Sequence, residues 1–142
     1  MRFLLDENVP VQLLAALRCI LPAHDVDHVD TLGWKGKQDR FLLPDAAAAR
    51  YEALITIDRR QLDDPTELRA IRSSALHHIT FTQGEGIAGL ARTIASVIAA
   101  LPAIATELDA ADGQRLVRIR GLARTRRHEM IDPRRNPPPY WR

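Results

Sequence analysis

The amino-acid sequence predicts an α/β fold round a central, mainly parallel sheet of five strands. Two observations carry that prediction. Short apolar runs alternate with longer segments of helical periodicity, the pattern of strand–helix–strand units. The first run, Phe3–Leu5, is apolar at three successive positions, as befits a strand covered on both faces. A chain of 142 residues is long enough for one such domain with one good core.

Taken in order, Arg2–Asp6 is the first strand. Asn8 is placed to cap the helix that follows, and Pro10 is tolerated in its first turn. Val11, Leu14, Leu17 and Leu21 then share one helical face, and Pro22 ends the element. His24–Val29 alternates and ends in Asp30, a second and more polar strand. Gly33, Trp34, Lys35 and Gly36 form a loop before a helix that opens near Gln38 or Asp39. Pro44 should kink or split that helix, because it removes one backbone donor and crowds the preceding turn. Ala53–Ile57 is the third strand, ending at Asp58. Asp63–Ile71 reads as a short helix, and His77–Thr82 as the fourth strand. Glycines at 84, 86 and 89 precede a long helix over Leu90–Leu108. Gln114–Arg120 is a final, edge-like strand. The organisation expected is a domain over 1–120 and a basic, proline-rich C-terminal arm over 121–142.

Composition narrows the class. Hydrophobic residues make up 46% and charged residues 27%, the balance of a water-soluble globular protein. No secretory leader opens the chain, and the longest apolar stretch is interrupted by Arg92, Ser96 and Pro102, so a cytoplasmic protein with no membrane partner is expected. The single Cys19 excludes an internal disulfide and a thiolate metal cluster; within Leu13–Leu21 it reads as a small buried hydrophobe. From Gly113 onward nine arginines face Glu129 and Asp132, a net +7 in a chain whose total is +2. Residues 1–112 therefore carry −5, and an acidic body beside a basic end suits a protein that holds metal and polyanion together.

The chemistry is expected at the carboxyl ends of the strands, where open parallel sheets bind their ligands. Asp6 follows the first strand, Asp58 follows the third, and Asp39 opens the helix after the second. Carboxylates brought close together repel one another unless a cation or shared protons intervene. Hard oxygen donors suit Mg²⁺ or Mn²⁺, which polarise a phosphodiester and generate a hydroxide-like nucleophile. Glu7 ranks behind the three aspartates as a further ligand. Helix capping would explain Asp39 nearly as well, and turn hydrogen bonds would explain Asp58. The His77–His78 pair alternates across a strand, so the two rings cannot face one ligand. Lys35, Lys37, Arg59 and Arg60 are the candidate nucleic-acid contacts, with Trp34 either stacking a base or, as expected more often, packing on the domain. Tyr140 and Trp141 read as anchors for a partner chain.

Four segments, "FLLDENVP", "HDVDHV", "LGWKGKQD" and "ALITIDRR", together resemble bacterial PIN-like domains, relatives of the PIN nucleases that include VapC-type toxins. The resemblance spans roughly Met1 to Arg120. It implies a three-layer α/β/α sandwich and a Mg²⁺- or Mn²⁺-dependent ribonuclease whose acids correspond to Asp6, Asp39 and Asp58. Many relatives carry another acid two residues after the one matching Asp39; here Phe41 stands there, and Glu7 or Asp63 would have to compensate.

The function expected is thus an endoribonuclease acting on single-stranded RNA, with the toxin role in a toxin–antitoxin pair, an antitoxin as partner and a homodimer through the arm as further options. One rival is a PIN-like binding module with a weakened site, which Phe41 and Pro44 favour. Another is a phosphoacceptor receiver domain built on Asp6, Glu7, Asp58 and Thr82. That reading lacks a lysine after the last strand and leaves Asp39 without a role.

Overall fold

The structure, a computed structural model, describes residues 1–57, 60–122 and 125–141, with Arg60 described in its backbone alone. The elements run β1 (Arg2–Leu5), α1 (Gln12–Ile20), β2 (Asp25–His28), α2 (Asp39–Ala48), β3 (Ala53–Thr56), a single 3₁₀ turn (Arg60–Leu62), α3 (Pro65–Ser74), β4 (His77–Thr80), α4 (Gly86–Asp109), β5 (Leu116–Ile119) and β6 (His128–Ile131). The six strands form one sheet in the order β2-β1-β3-β4-β5-β6, parallel throughout except for the antiparallel β5–β6 pair.

The side-chain period of two sorts the strands between two cores. Phe3, Leu5, Ile55 and Ile79 point to the layer of α1 and α4, while Leu4 and Leu54 point to the layer of α2 and α3. Helices cover both faces of the sheet, giving the α/β/α sandwich. In α1 the buried residues are Leu13, Leu14 and Leu17, whereas Val11 is 46% exposed. Cys19 is exposed, against the expectation of burial, because two residues past Leu17 is about 200° round the helix. α2 runs unbroken through Pro44, which the loss of one hydrogen bond does not suffice to split. α4 is long and apolar enough to cross a membrane by length and composition, with a mean hydropathy of 1.8, yet its Val97, Leu101, Ile104 and Leu108 pack on the sheet.

The sheet has six strands rather than the five expected, so β5 is not an edge. His128–Ile131, within the stretch expected to be an arm, supply the sixth. Arg120 N donates to Arg127 O at 2.7 Å, and the Arg120 guanidinium pairs with Glu129 beyond the turn. The chain then crosses back to bury Trp141 among Ile71, Leu76 and Leu116, where Arg72 donates to the Trp141 carbonyl at 2.8 Å. Trp141 is therefore 8% exposed and packs within its own chain instead of anchoring a partner. Arg134 bridges Asp132 and Asp112, and its guanidinium holds the Asp132 carboxyl down at about 2.

Candidate active site

The order β2-β1-β3 places a topological switch point between β1 and β3: the connection from β1 leaves to one side and the later strands build on the other. Loops diverge there at the carboxyl edge, opening a crevice. Asp6 stands at its base. Its backbone N–H continues the ladder to Ile55 O at 2.9 Å, so the carboxylate is positioned by the sheet itself. The residue is 6% exposed. Thr56 Oγ1 donates to Asp6 Oδ2 at 2.7 Å, and the Glu7 N–H donates to Asp6 Oδ1 at 2.8 Å. Asn8 does not cap α1. Its Oδ1 accepts from Ile57 N at 3.2 Å, tying the β1–α1 loop to the end of β3.

Asp39 enters from the opposite side of the crevice as the first residue of α2, where the helix dipole favours an anion. The cap position belongs to Gln38, and no side-chain cap bond is made. Asp39 Oδ2 instead accepts from Gln61 Nε2 at 2.5 Å. Gln61 is 2% exposed, and its Oε1 meets His78 Nε2 at 2.9 Å. Since the carboxylate can only accept, the Gln61 amide turns its oxygen to His78, and His78 must carry its proton on Nε2. Glu7 Oε2 accepts from the Gly36 N–H at 2.6 Å, clasping the β2–α2 loop to the β1–α1 loop. Gly36 has φ of +76°, a conformation open to glycine at no steric cost.

Asp6, Glu7, Lys37, Asp39, Gln61 and Asp64 line one cleft of about 610 Å³. Three of the predicted acids and one predicted cation therefore share it. Lys37 pairs with Asp45 and lies 5.0 Å over the Trp34 ring. Trp34 meets Tyr51 edge-on at 6.3 Å and packs on the second core, the domain-packing role expected of it. Lys35 lies 3.8 Å from Asp30 and is not among the cleft's walls. Asp64 caps α3 through Thr66 N and Glu67 N. Asp58, Arg59 and the Arg60 side chain lie outside the described residues. Phe41 is 54% exposed, with the Arg40 guanidinium 4.7 Å over its ring.

Sequence reasoning missed Thr56, Gln61 and Asn8. Thr56 is the one polar residue of an otherwise apolar strand, a signal present in the sequence; Gln61 follows two arginines and offered none. Cleft donors are oxygens in every acidic position, the kind that Mg²⁺ and Mn²⁺ take. Among the described residues no three carboxylate, imidazole or thiol side chains close on a single point.

A family model of the PIN-like domain matches residues 1–83. The chain belongs to the PIN-like domain family. Searches of curated proteins and of solved structures returned no match. The matched span runs from β1 past the end of β4, and so contains Asp6, Asp39 and Asp58 as well as Thr56 and Gln61. PIN domains form a nuclease-type superfamily, and divalent-metal dependence is typical of them.

Proposed function

We propose that this PIN-like domain is a metal-dependent endoribonuclease that cuts single-stranded RNA. The observation that carries the reading is the meeting of Asp6 and Asp39 in one cleft at the switch point of the sheet. Asp6, Asp39 and Asp58 would hold Mg²⁺ or Mn²⁺, with Glu7 beside them. What the ion supplies when bound is polarisation of the phosphodiester and activation of water.

The protein's own part is positioning. Thr56 and the Glu7 N–H each hold one oxygen of Asp6 and so set the direction of its carboxylate. Gln61 donates to Asp39, and the Glu7–Gly36 hydrogen bond ties together the two loops that carry the cleft walls. Lys37 at the cleft wall offers a phosphate contact.

Toxin activity in the cytoplasm, restrained by a small antitoxin, fits this reading. Tyr140, 68% exposed, is the aromatic of the C-terminal segment left for a second subunit. A binding module with a weakened site is the second reading, favoured by the exposed Phe41 where an acid would stand.

Incubation of the purified protein with single-stranded RNA and Mn²⁺, beside an Asp6→Asn/Asp58→Asn variant, tests the proposal. Cleavage by the wild type alone supports it. No cleavage, or equal cleavage by both, sinks it and leaves the binding module.

A further inference from the structure

A second cleft, of about 390 Å³, opens on the α2/α3 side of the sheet, where Leu62 and Asp63, just ahead of α3, form part of its wall. The returning C-terminal segment covers β5 and β6 on this side in part, through Pro138 and Trp141. The walls of the cleft include Leu116, Ile131 and Pro138, and His78 lines it from β4. Asp63 belongs to the charged part of the lining together with Arg118 and Glu129, which are paired across the β5–β6 register and both exposed.

His78 ties this cleft to the candidate active site. Its Nε2–H donates to Gln61 Oε1 at 2.9 Å, and Gln61 Nε2 donates to Asp39 at 2.5 Å. Gln61 lines the acidic cleft and His78 lines the second one, so a single buried relay of two hydrogen bonds separates them.

We propose that the second cleft receives a purine base of the RNA, guanine matching it best. The inference rests on the ribonuclease reading for the base's being part of an RNA. The lining divides between apolar side chains and the polar Asp63, His78, Thr80, Arg118 and Glu129, and 390 Å³ lies within the usual range of a small-molecule site. Among the bases, guanine offers O6 and N7 as paired acceptors for a guanidinium. Its Watson–Crick edge offers N–H donors for a carboxylate. Arg118 and Glu129 supply that pair of partners side by side, the Glu129 carboxylate being shared with Arg120. Single-stranded RNA is read in this way, with an unstacked base splayed out and bonded on its edges.

The test is titration of the full chain, free of divalent metal, with guanosine, adenosine, cytidine and uridine 5′-monophosphates, followed by calorimetry and by the His78 ring signals in NMR. Saturable binding is expected, tightest for the guanosine nucleotide, with the His78 signals shifting. Arg118→Gln and Glu129→Gln should each weaken it about tenfold, the worth of one hydrogen bond to a charged group. Arg18→Gln, at the opposite edge of the sheet, should leave it unchanged. Equal affinity for the four nucleotides, indifference to the two variants, or no saturation at millimolar nucleotide overturns the base site. If RNA cleavage fails while selective binding holds, the ribonuclease reading falls and the site stands as one for a free nucleotide. If cleavage holds and binding is unselective, only the base site falls.

Discussion

Thr56 donates its hydroxyl to Asp6 across 2.7 Å, joining the ends of two adjacent parallel strands through side chains where their backbone ladder stops. Thr56 is fully buried and Asp6 nearly so, hence the hydroxyl stands in for water that the carboxylate has lost. Thr56→Val keeps the shape and removes the donor. Stability should drop by about 1–3 kcal/mol, the worth of a hydrogen bond to a buried charged group. Urea denaturation measures it, and an unchanged midpoint would show that Asp6 does not depend on this bond.

Gln61→Leu leaves Asp39 without its amide partner and buries His78 beside a side chain that accepts no proton. A loss of about 1–3 kcal/mol is expected from the removal of the Gln61 hydrogen bonds to Asp39 and His78. Under the metal-site reading Mn²⁺ affinity should fall as well, because Asp39 loses its orientation, an effect of about 10–100-fold for a partner of a metal ligand. Calorimetric Mn²⁺ titration checks this separately from thermal melting. Unaltered Mn²⁺ affinity in a destabilised variant would confine Gln61 to a structural role.

His77 gives the protein a pH dependence of known sign. Burial, and then the nearby Arg115 charge, lower its pKa from the ordinary 6.5, and its Nδ1 accepts the Arg115 N–H at 3.0 Å. The unfolded chain therefore binds the proton first as pH falls. The contribution of neutral His77 to stability is complete above 6.5 and declines from there down to the folded-state pKa. Melting temperature should fall on acidification through that window, and His77→Asn should flatten the decline. A slope identical in the variant would assign the acid sensitivity elsewhere.

Trp141 closes the second core, so Trp141→Ala should cost about 3–5 kcal/mol as a large-to-small core change. Deleting Thr125–Arg142 also removes β6 and bares the edge of β5, and the loss should be larger still. Thermal melting distinguishes these variants. A truncated chain that melts like the wild type would show the segment to be an appendage.

The parallel layers were legible because strands covered on both faces must be apolar throughout, as Phe3–Leu5 and Ala53–Ile55 are. The segment beyond Gly121 was not, because an edge strand needs no such run: β6 reads His-Glu-Met-Ile and is buried at none of its positions. Trp141 was misread since nothing local distinguishes an aromatic that returns to its own core from one awaiting a partner. In the candidate site, Asp6 could be placed from its strand alone. Asp39 needed Gln61, a contact 22 residues away in sequence, to show that its carboxylate serves the cleft rather than a helix cap. Asn8 had the residue type of a cap, but its carbonyl found the Ile57 N–H, closer to hand once β1 and β3 were paired.

The return of Trp141 to the layer of α3 also sets an order of events during synthesis. Ile71, Leu76 and Leu116 leave the ribosome well before their last neighbour, so the nascent domain emerges with one core able to close and the other still open. A growing chain in that condition holds its acidic cleft on an unfinished scaffold. Full consolidation of that second core waits until Trp141 has cleared the exit tunnel.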